Sequence, residues 1–197
     1  MLRPGVTLYY VRHGETDWNR AQRYQGQRDI PLNATGREQA VHNGRTLAAA
    51  LGAAAATLDF VASPLERARE TMELMRRELG LPPQAYRTEA RLSEVHYGHW
   101  EGELWQELPT RDPEGFAARE ADKWGWRPKG GESYRDLSER VGAWLATVER
   151  DTVVAAHGGV MRVLRGLTSR LQPAQIFALD VPQDKVLVVE AGRTRWL

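Results

Sequence analysis

The sequence contains no cysteine, which excludes disulfides, thiolate nucleophiles and cysteine-held zinc or iron–sulfur sites and fits a reducing cytoplasm. It has no apolar run near the roughly 20 residues that a membrane-spanning helix needs. The Ala-rich stretch at 47–58 is shorter, and Gly52 interrupts it. Near the start, Leu8-Tyr9-Tyr10-Val11 is a short apolar run closed by Arg12, whereas a signal peptide needs a basic start, a longer apolar stretch and a small-residue cleavage site. Neither sign of charge dominates: 27 Lys and Arg face 26 Asp and Glu, for a net charge of +1. Charge therefore calls for neither nucleic acid nor a membrane surface as partner. There is no dinucleotide fingerprint, no Walker A loop, no Gly-x-Ser-x-Gly elbow and no His-Glu-x-x-His. His96 and His99 stand three apart without a third ligand, a poor metal site. What is present is ordinary for a folded chain: 197 residues, 42% hydrophobic and 27% charged, with a mean hydropathy of -0.55. That length suits one domain. The expected location is the cytoplasm, with no metal and no cofactor.

Short apolar runs rich in β-formers at 7–11, 58–62, 152–156 and 185–190 read as buried strands, the last with a short partner at 194–196 across Ala191-Gly192-Arg193. Helical patterns lie between them. One runs over 35–51, with Thr35 and Glu38 as a capping box; one starts at Ser63-Pro64 and runs to about 79; others cover 133–149 and 160–167. Alternation of strands and helices predicts an α/β domain whose mostly parallel sheet is covered on both faces. The segment from about 92 to 130 breaks the rhythm. It holds Trp100, Trp105, Trp124 and Trp126 and reads as an excursion over one edge of the sheet, with short helices at 104–108 and 113–122.

Three of these strands end in polar groups: Arg12-His13-Gly14-Glu15-Thr16, then Ser63-Pro64 with Arg67 in the next turn, then His157-Gly158-Gly159 before a helix. Ligands of open α/β sheets bind at the carboxyl ends of strands, and helix N-termini there suit anions. Two arginines and two imidazoles at three strand ends point to a phosphate. Together with Asn19, with Leu92-Ser93-Glu94 and with Gly98-His99-Trp100-Glu101-Gly102, these blocks occur in the order found in the histidine phosphatase superfamily, which the chain resembles from about residue 8 to 167. The resemblance implies a single domain over 1–197 with a cap-like excursion at 92–130, built as a phosphoglycerate mutase-like three-layer α/β/α sandwich.

It also implies roles. His13 is the nucleophile, its other ring nitrogen donating to a backbone carbonyl. Glu94 protonates the leaving oxygen and then activates water. Arg12, Asn19, Arg67, His157 (as a protonated donor) and Gly158 bind phosphate, while Gln25, Gly26 and Tyr97 contact the rest of the substrate. Mutases of the family have His-Gly-Asn where this chain has His157-Gly158-Gly159, a lysine where Trp105 falls, and an Arg-Arg pair that the excursion lacks, with only Arg127 and Lys129 near its end. The expected activity is thus a metal-independent phosphoric monoester hydrolysis through phosphohistidine, on a small phosphorylated metabolite. The alternatives are a cofactor-dependent phosphoglycerate mutase and a silent phospholigand-binding protein. The tryptophans would favour an apolar or planar substituent. A homodimer is compatible with the sequence.

Overall fold

The computed structural model describes residues 2–190 and 192–197. In chain order the elements are β1 (Leu8–Arg12), α1 (Asp17–Arg20), α2 (Ala34–Leu51), β2 (Asp59–Ala62), α3 (Glu66–Glu78), β3 (Arg87–Thr88), α4 (Leu108–Arg111), α5 (Pro113–Ala121), α6 (Tyr134–Leu145), β4 (Thr152–Ala156), α7 (Gly158–Ser169), α8 (Pro173–Ile176), β5 (Val186–Glu190) and β6 (Arg193–Trp196). The strands form one sheet in the order β3-β2-β4-β1-β5-β6. β1 to β4 run parallel, and β5 and β6 complete the sheet antiparallel.

Period-two alternation divides the core. Val11, Phe60, Ala62, Val153, Ala155 and Val186 face one side and meet Leu47 of α2 with Met72 and Met75 of α3. Leu8, Tyr10, Val61, Val154, Leu187 and Val189 face the other and meet the apolar stripes of α6 and α7. The result is the three-layer α/β/α sandwich expected.

Several local expectations are corrected. The cap of α2 is Asn33, whose side chain accepts from the Gly36 N–H, not Thr35. α3 begins at Glu66, with Leu65 at a cap that makes no side-chain bond; Ser63 and Pro64 lie outside it because Ser63 is drawn into the site. The first short helix of the excursion is 108–111, after Pro109 sets its first turn, rather than 104–108. The two-residue β3 was not anticipated. Ala191 of the expected final turn lies outside the described residues.

Nor does the excursion simply cover an edge. Its backbone pairs with the loop that follows β1: Tyr24 N–H donates to Glu103 O at 3.0 Å, Gly102 N–H to Tyr24 O at 2.8 Å and Trp105 N–H to Gln22 O at 3.1 Å. That places it across the carboxyl ends of the central strands.

Candidate active site

Parallel pairing puts Arg12 opposite Ala156, and Ala62 opposite Ala155. The ladder continues one residue beyond each strand: His13 N–H donates to Ala156 O at 2.8 Å and Ser63 N–H to Ala155 O at 3.0 Å. His13, Ser63 and His157 therefore emerge side by side, with the two imidazole centroids 5.1 Å apart. Above them lies a cavity of about 190 Å3 lined by Arg12, His13, Asn19, Arg67, Glu94 and Gly158, among others. Drug-sized ligands take roughly 300–1,000 Å3, so this space suits a phosphoryl group on a short stem.

His13 is 3% exposed. Its Nδ1 lies 2.8 Å from Gly14 O. A carbonyl only accepts, so the neutral ring's proton sits on Nδ1 and Nε2 carries a lone pair. Arg67 Nε–H donates to that lone pair at 3.3 Å. Burial, then the charges of Arg67 and Arg12, hold the ring's pKa well below 6.5, against the opposing pull of the Gly14 bond. His13 is thus kept neutral, with the Nε2 lone pair facing the cavity.

Arg67 is fully buried. Its Nη1 and Nη2 donate to Arg28 O and Gly26 O, both at 2.7 Å, and burial lowers its pKa to about 10. Arg12 Nη1 donates to Val181 O at 2.7 Å, while its Nε is buried with no partner among the described residues. Asn19 Oδ1 is used in the capping box of Thr16, the cap of α1, and accepts from Gln183 Nε2 at 3.2 Å. Only its amide nitrogen remains for a ligand.

His157 lies beneath the cavity, fully buried. Its backbone is clamped by Tyr10: His157 N–H donates to the Tyr10 hydroxyl at 2.9 Å, which donates to His157 O at 2.7 Å. Its Nε2 is 2.7 Å from Ser63 Oγ and its Nδ1 has no partner among the described residues. Burial, then Arg67 and His13, push its pKa well below 6.5. Burial, and after it four nearby cationic or imidazole groups, favours a neutral ring where an imidazolium was expected.

Glu94 reaches the cavity from the opposite side. Its Oε2 accepts from Gly159 N–H at 3.1 Å and its Oε1 from Val95 N–H at 2.9 Å. A Cβ on Gly159 would collide with this carboxylate. The missing side chain of Gly159 thus makes room for the Glu94 carboxylate. Two backbone carbonyls of its loop, Arg91 O and Glu94 O, accept from Arg140 at 2.7 and 3.0 Å, and Arg140 also makes two bonds to Glu132 at 2.6 and 2.9 Å.

The substrate-contact candidates also reach the cavity. Gln25 is tied by the Thr16 hydroxyl at 2.9 Å. Gly26 has φ +54, and a Cβ there would strike the Glu101 carboxylate, which accepts from Gln27 N–H at 2.9 Å. Tyr97 packs on Tyr24 with centroids 4.5 Å apart and the rings tilted by 57°, and burial holds its phenol neutral, well above 10.

The sequence reading missed Ser63 as a partner of His157, Val181 and Gln183 behind Arg12 and Asn19, and Arg23 and Arg162 on the cavity wall. Of the four tryptophans only Trp105, 52% exposed, lines the cavity. Trp100 stacks on Trp126 at 4.3 Å, and Trp124 joins the core. Arg127 pairs with Asp136 on the surface, and neither it nor Lys129 lines the cavity. His96 Nδ1 accepts from Gly98 N–H, while His99 pairs with Asp112.

A sheet whose carboxyl ends gather a tautomer-fixed imidazole, two arginines and a carboxylate defines a phosphoryl-transfer site. The chain belongs to the histidine phosphatase superfamily, branch 1, which residues 8–197 match. Glucosyl-3-phosphoglycerate phosphatase of Mycobacterium tuberculosis (strain CDC 1551 / Oshkosh) is 33% identical over 185 residues, covering 87% of this chain and 79% of the relative. A 2,3-bisphosphoglycerate-dependent phosphoglycerate mutase of Rhizobium rhizogenes is 32% identical over 201 residues, covering 89% and 85%. A solved structure of mycobacterial glucosyl-3-phosphoglycerate phosphatase with VO3 superposes with a TM-score of 0.80 at 31% identity, covering 98% of this chain and 96% of that one.

Proposed function

We propose that the protein is a metal-independent phosphomonoesterase that works through a phosphohistidine on His13. The observation that carries this reading is the His13 ring itself: neutral, fixed by Gly14 O, its Nε2 directed at a cationic cavity. The Nε2 electron pair attacks phosphorus. The ester P–O bond breaks, its electrons pass to the leaving oxygen, and Glu94 protonates that oxygen to release the alcohol. Glu94 then takes a proton from water as the water oxygen attacks phosphorus, and the P–N electrons return to Nε2. Arg67 Nε–H exchanges its bond to His13 for one to a phosphate oxygen. Arg12, the Asn19 amide, His157 Nδ1–H and Gly158 N–H complete the cradle. Ser63, donating to His157 Nε2, puts the proton on Nδ1. Gln25, Gly26 and Tyr97 contact the alcohol portion, and the 92–130 segment acts as a cap.

Hydrolysis is favoured over phosphate reshuffling because Arg127 and Lys129, the cations a mutase reading would recruit, stand away from the cavity. The named activity of the mycobacterial relative supports a small phosphorylated metabolite as substrate; the Rhizobium relative keeps the mutase as second reading. A coupled mutase assay beside a phosphate-release assay on 3-phosphoglycerate separates them. Release of phosphate without isomerisation, with or without added 2,3-bisphosphoglycerate, is expected. Bisphosphate-stimulated formation of 2-phosphoglycerate that outpaces phosphate release would replace hydrolase by mutase.

A further inference from the structure

Gln183 does not line the cavity, yet it bonds to two residues that do. It sits half-buried in the segment between α8 and β5. Its Nε2 is 3.0 Å from His13 O and 3.2 Å from Asn19 Oδ1. His13 O can only accept, so the Gln183 amide must turn its nitrogen towards it. That nitrogen carries two hydrogens, and the second meets Asn19. Asn19 must answer with its oxygen, which leaves its own NH2 for the cavity. The Thr16 N–H imposes the same orientation from the other side, donating to Asn19 Oδ1 at 3.1 Å. A flipped Asn19 would set its NH2 against two donors and its oxygen against the phosphate, an arrangement with no hydrogen bond on either side.

The segment is itself fixed from both faces of the sheet. Gln183 O accepts at 2.8 Å from Nδ2 of Asn43, which is fully buried on α2. Asp180 O accepts at 2.9 Å from Arg165 of α7. Between them, Val181 O accepts from Arg12 Nη1 at 2.7 Å. Four consecutive residues thus fasten Arg12, His13 and Asn19 together. A glutamine supplies two donors from one uncharged nitrogen, where a glutamate of the same size would supply none. We propose that Gln183 is a positioning residue of the phosphate site: anchored on His13 O, its amide holds Asn19 Oδ1 and so aims the Asn19 NH2 at the phosphoryl group on the nucleophile. The proposal rests on the phosphohistidine reading, in which Asn19 binds phosphate.

Calorimetric titration with inorganic phosphate reads the site without turnover, and hydrolysis of p-nitrophenyl phosphate reads it with turnover. Gln183→Leu should weaken phosphate binding about ten- to a hundredfold, the effect of one hydrogen bond to a charged group. Gln183→Glu should weaken it further, because its carboxylate meets two oxygens. It carries the same comparison if Gln183→Leu fails to fold. The double variant separates positioning from general support. Asn19→Ala removes the amide that Gln183 aims, so adding Gln183→Leu to it should cost only about threefold more or less, in affinity and in kcat/KM alike. Phosphate affinity that both Gln183 variants leave unchanged, or a full further loss in the double variant, would overturn the proposal. If the coupling holds but wild type hydrolyses no ester, the hydrolase reading falls and Gln183 keeps its place in a phosphate-binding site. If wild type hydrolyses the ester while the losses add, the hydrolase reading survives and the positioning role falls. A wild type that binds no phosphate would overturn both.

Discussion

Glu94 and Gly159 depend on one another. The carboxylate accepts the Gly159 N–H and fills the space a Cβ would need. A general acid matters most for a poor leaving group. Glu94→Gln should therefore slow hydrolysis of an alkyl phosphate on the order of 10²–10⁴-fold and that of p-nitrophenyl phosphate far less. Gly159→Ala should show the same pattern more weakly, by displacing the acid rather than removing it. Steady-state kinetics on both esters check this, and equal losses for both would move the acid elsewhere. His13, Arg12, Arg67 and Glu94 were legible because each sits in a block of fixed spacing, and the blocks fall at strand ends. Arg162 was not, since an isolated arginine in an amphipathic helix normally marks a solvated face. Ser63 read as a plain helix start, because Ser-Pro carries that meaning wherever the strand beside it ends.

The loop that carries Glu94 runs between two single-turn 3-10 helices, Ala90–Leu92 and Gly98–Trp100, and is tied to α6. Arg140 spans the gap, fastening Arg91 O and Glu94 O while paired to Glu132, whose Oε2 also accepts the His96 N–H at 3.0 Å. Both members of the pair are less than a fifth exposed. Their loss should fall between the values of surface and buried pairs, about 1–3 kcal/mol. Arg140→Met and Glu132→Gln should each lower kcat about tenfold more for alkyl than for aryl phosphates, because the acid drifts while the nucleophile stays. The double variant should be little worse than either single one, as expected for one shared network; additive losses in denaturant melts and kinetics would show two separate roles. The main strands and the long helices were readable from period and composition. Their caps were less so: Thr35 with Glu38 forms a plausible box, but Asn33 lies where the chain actually enters α2. β3 pairs only two residues, Val61 with Arg87 and Ala62 with Thr88, too short to leave a pattern.

The whole molecule bears the cost of keeping two histidines neutral. His13 and His157 are buried beside Arg67 and Arg12, and both have pKa values well below 6.5. Unfolded, each takes up a proton as pH falls through about 6.5, while the folded ring does not. The unfolded state then binds more protons, so this stability is complete above about pH 6.5 and is lost as pH falls towards the folded values. Each histidine should contribute a slope of up to about 1.4 kcal/mol per pH unit in that window. Urea melts of wild type and His157→Gln between pH 7 and 5 check it: the variant should have the shallower slope, and equal slopes would mean that His157 is charged in the folded protein. The same neutrality makes His13 available as a nucleophile, and the central claim is that it takes the phosphoryl group. The direct test is to mix enzyme with radiolabelled phosphomonoester, quench in alkali, digest and locate the label. Label that survives base, is lost in acid, maps to His13 and is absent from His13→Ala together with turnover is the predicted result. Undiminished turnover in His13→Ala, or label on another residue, would contradict it.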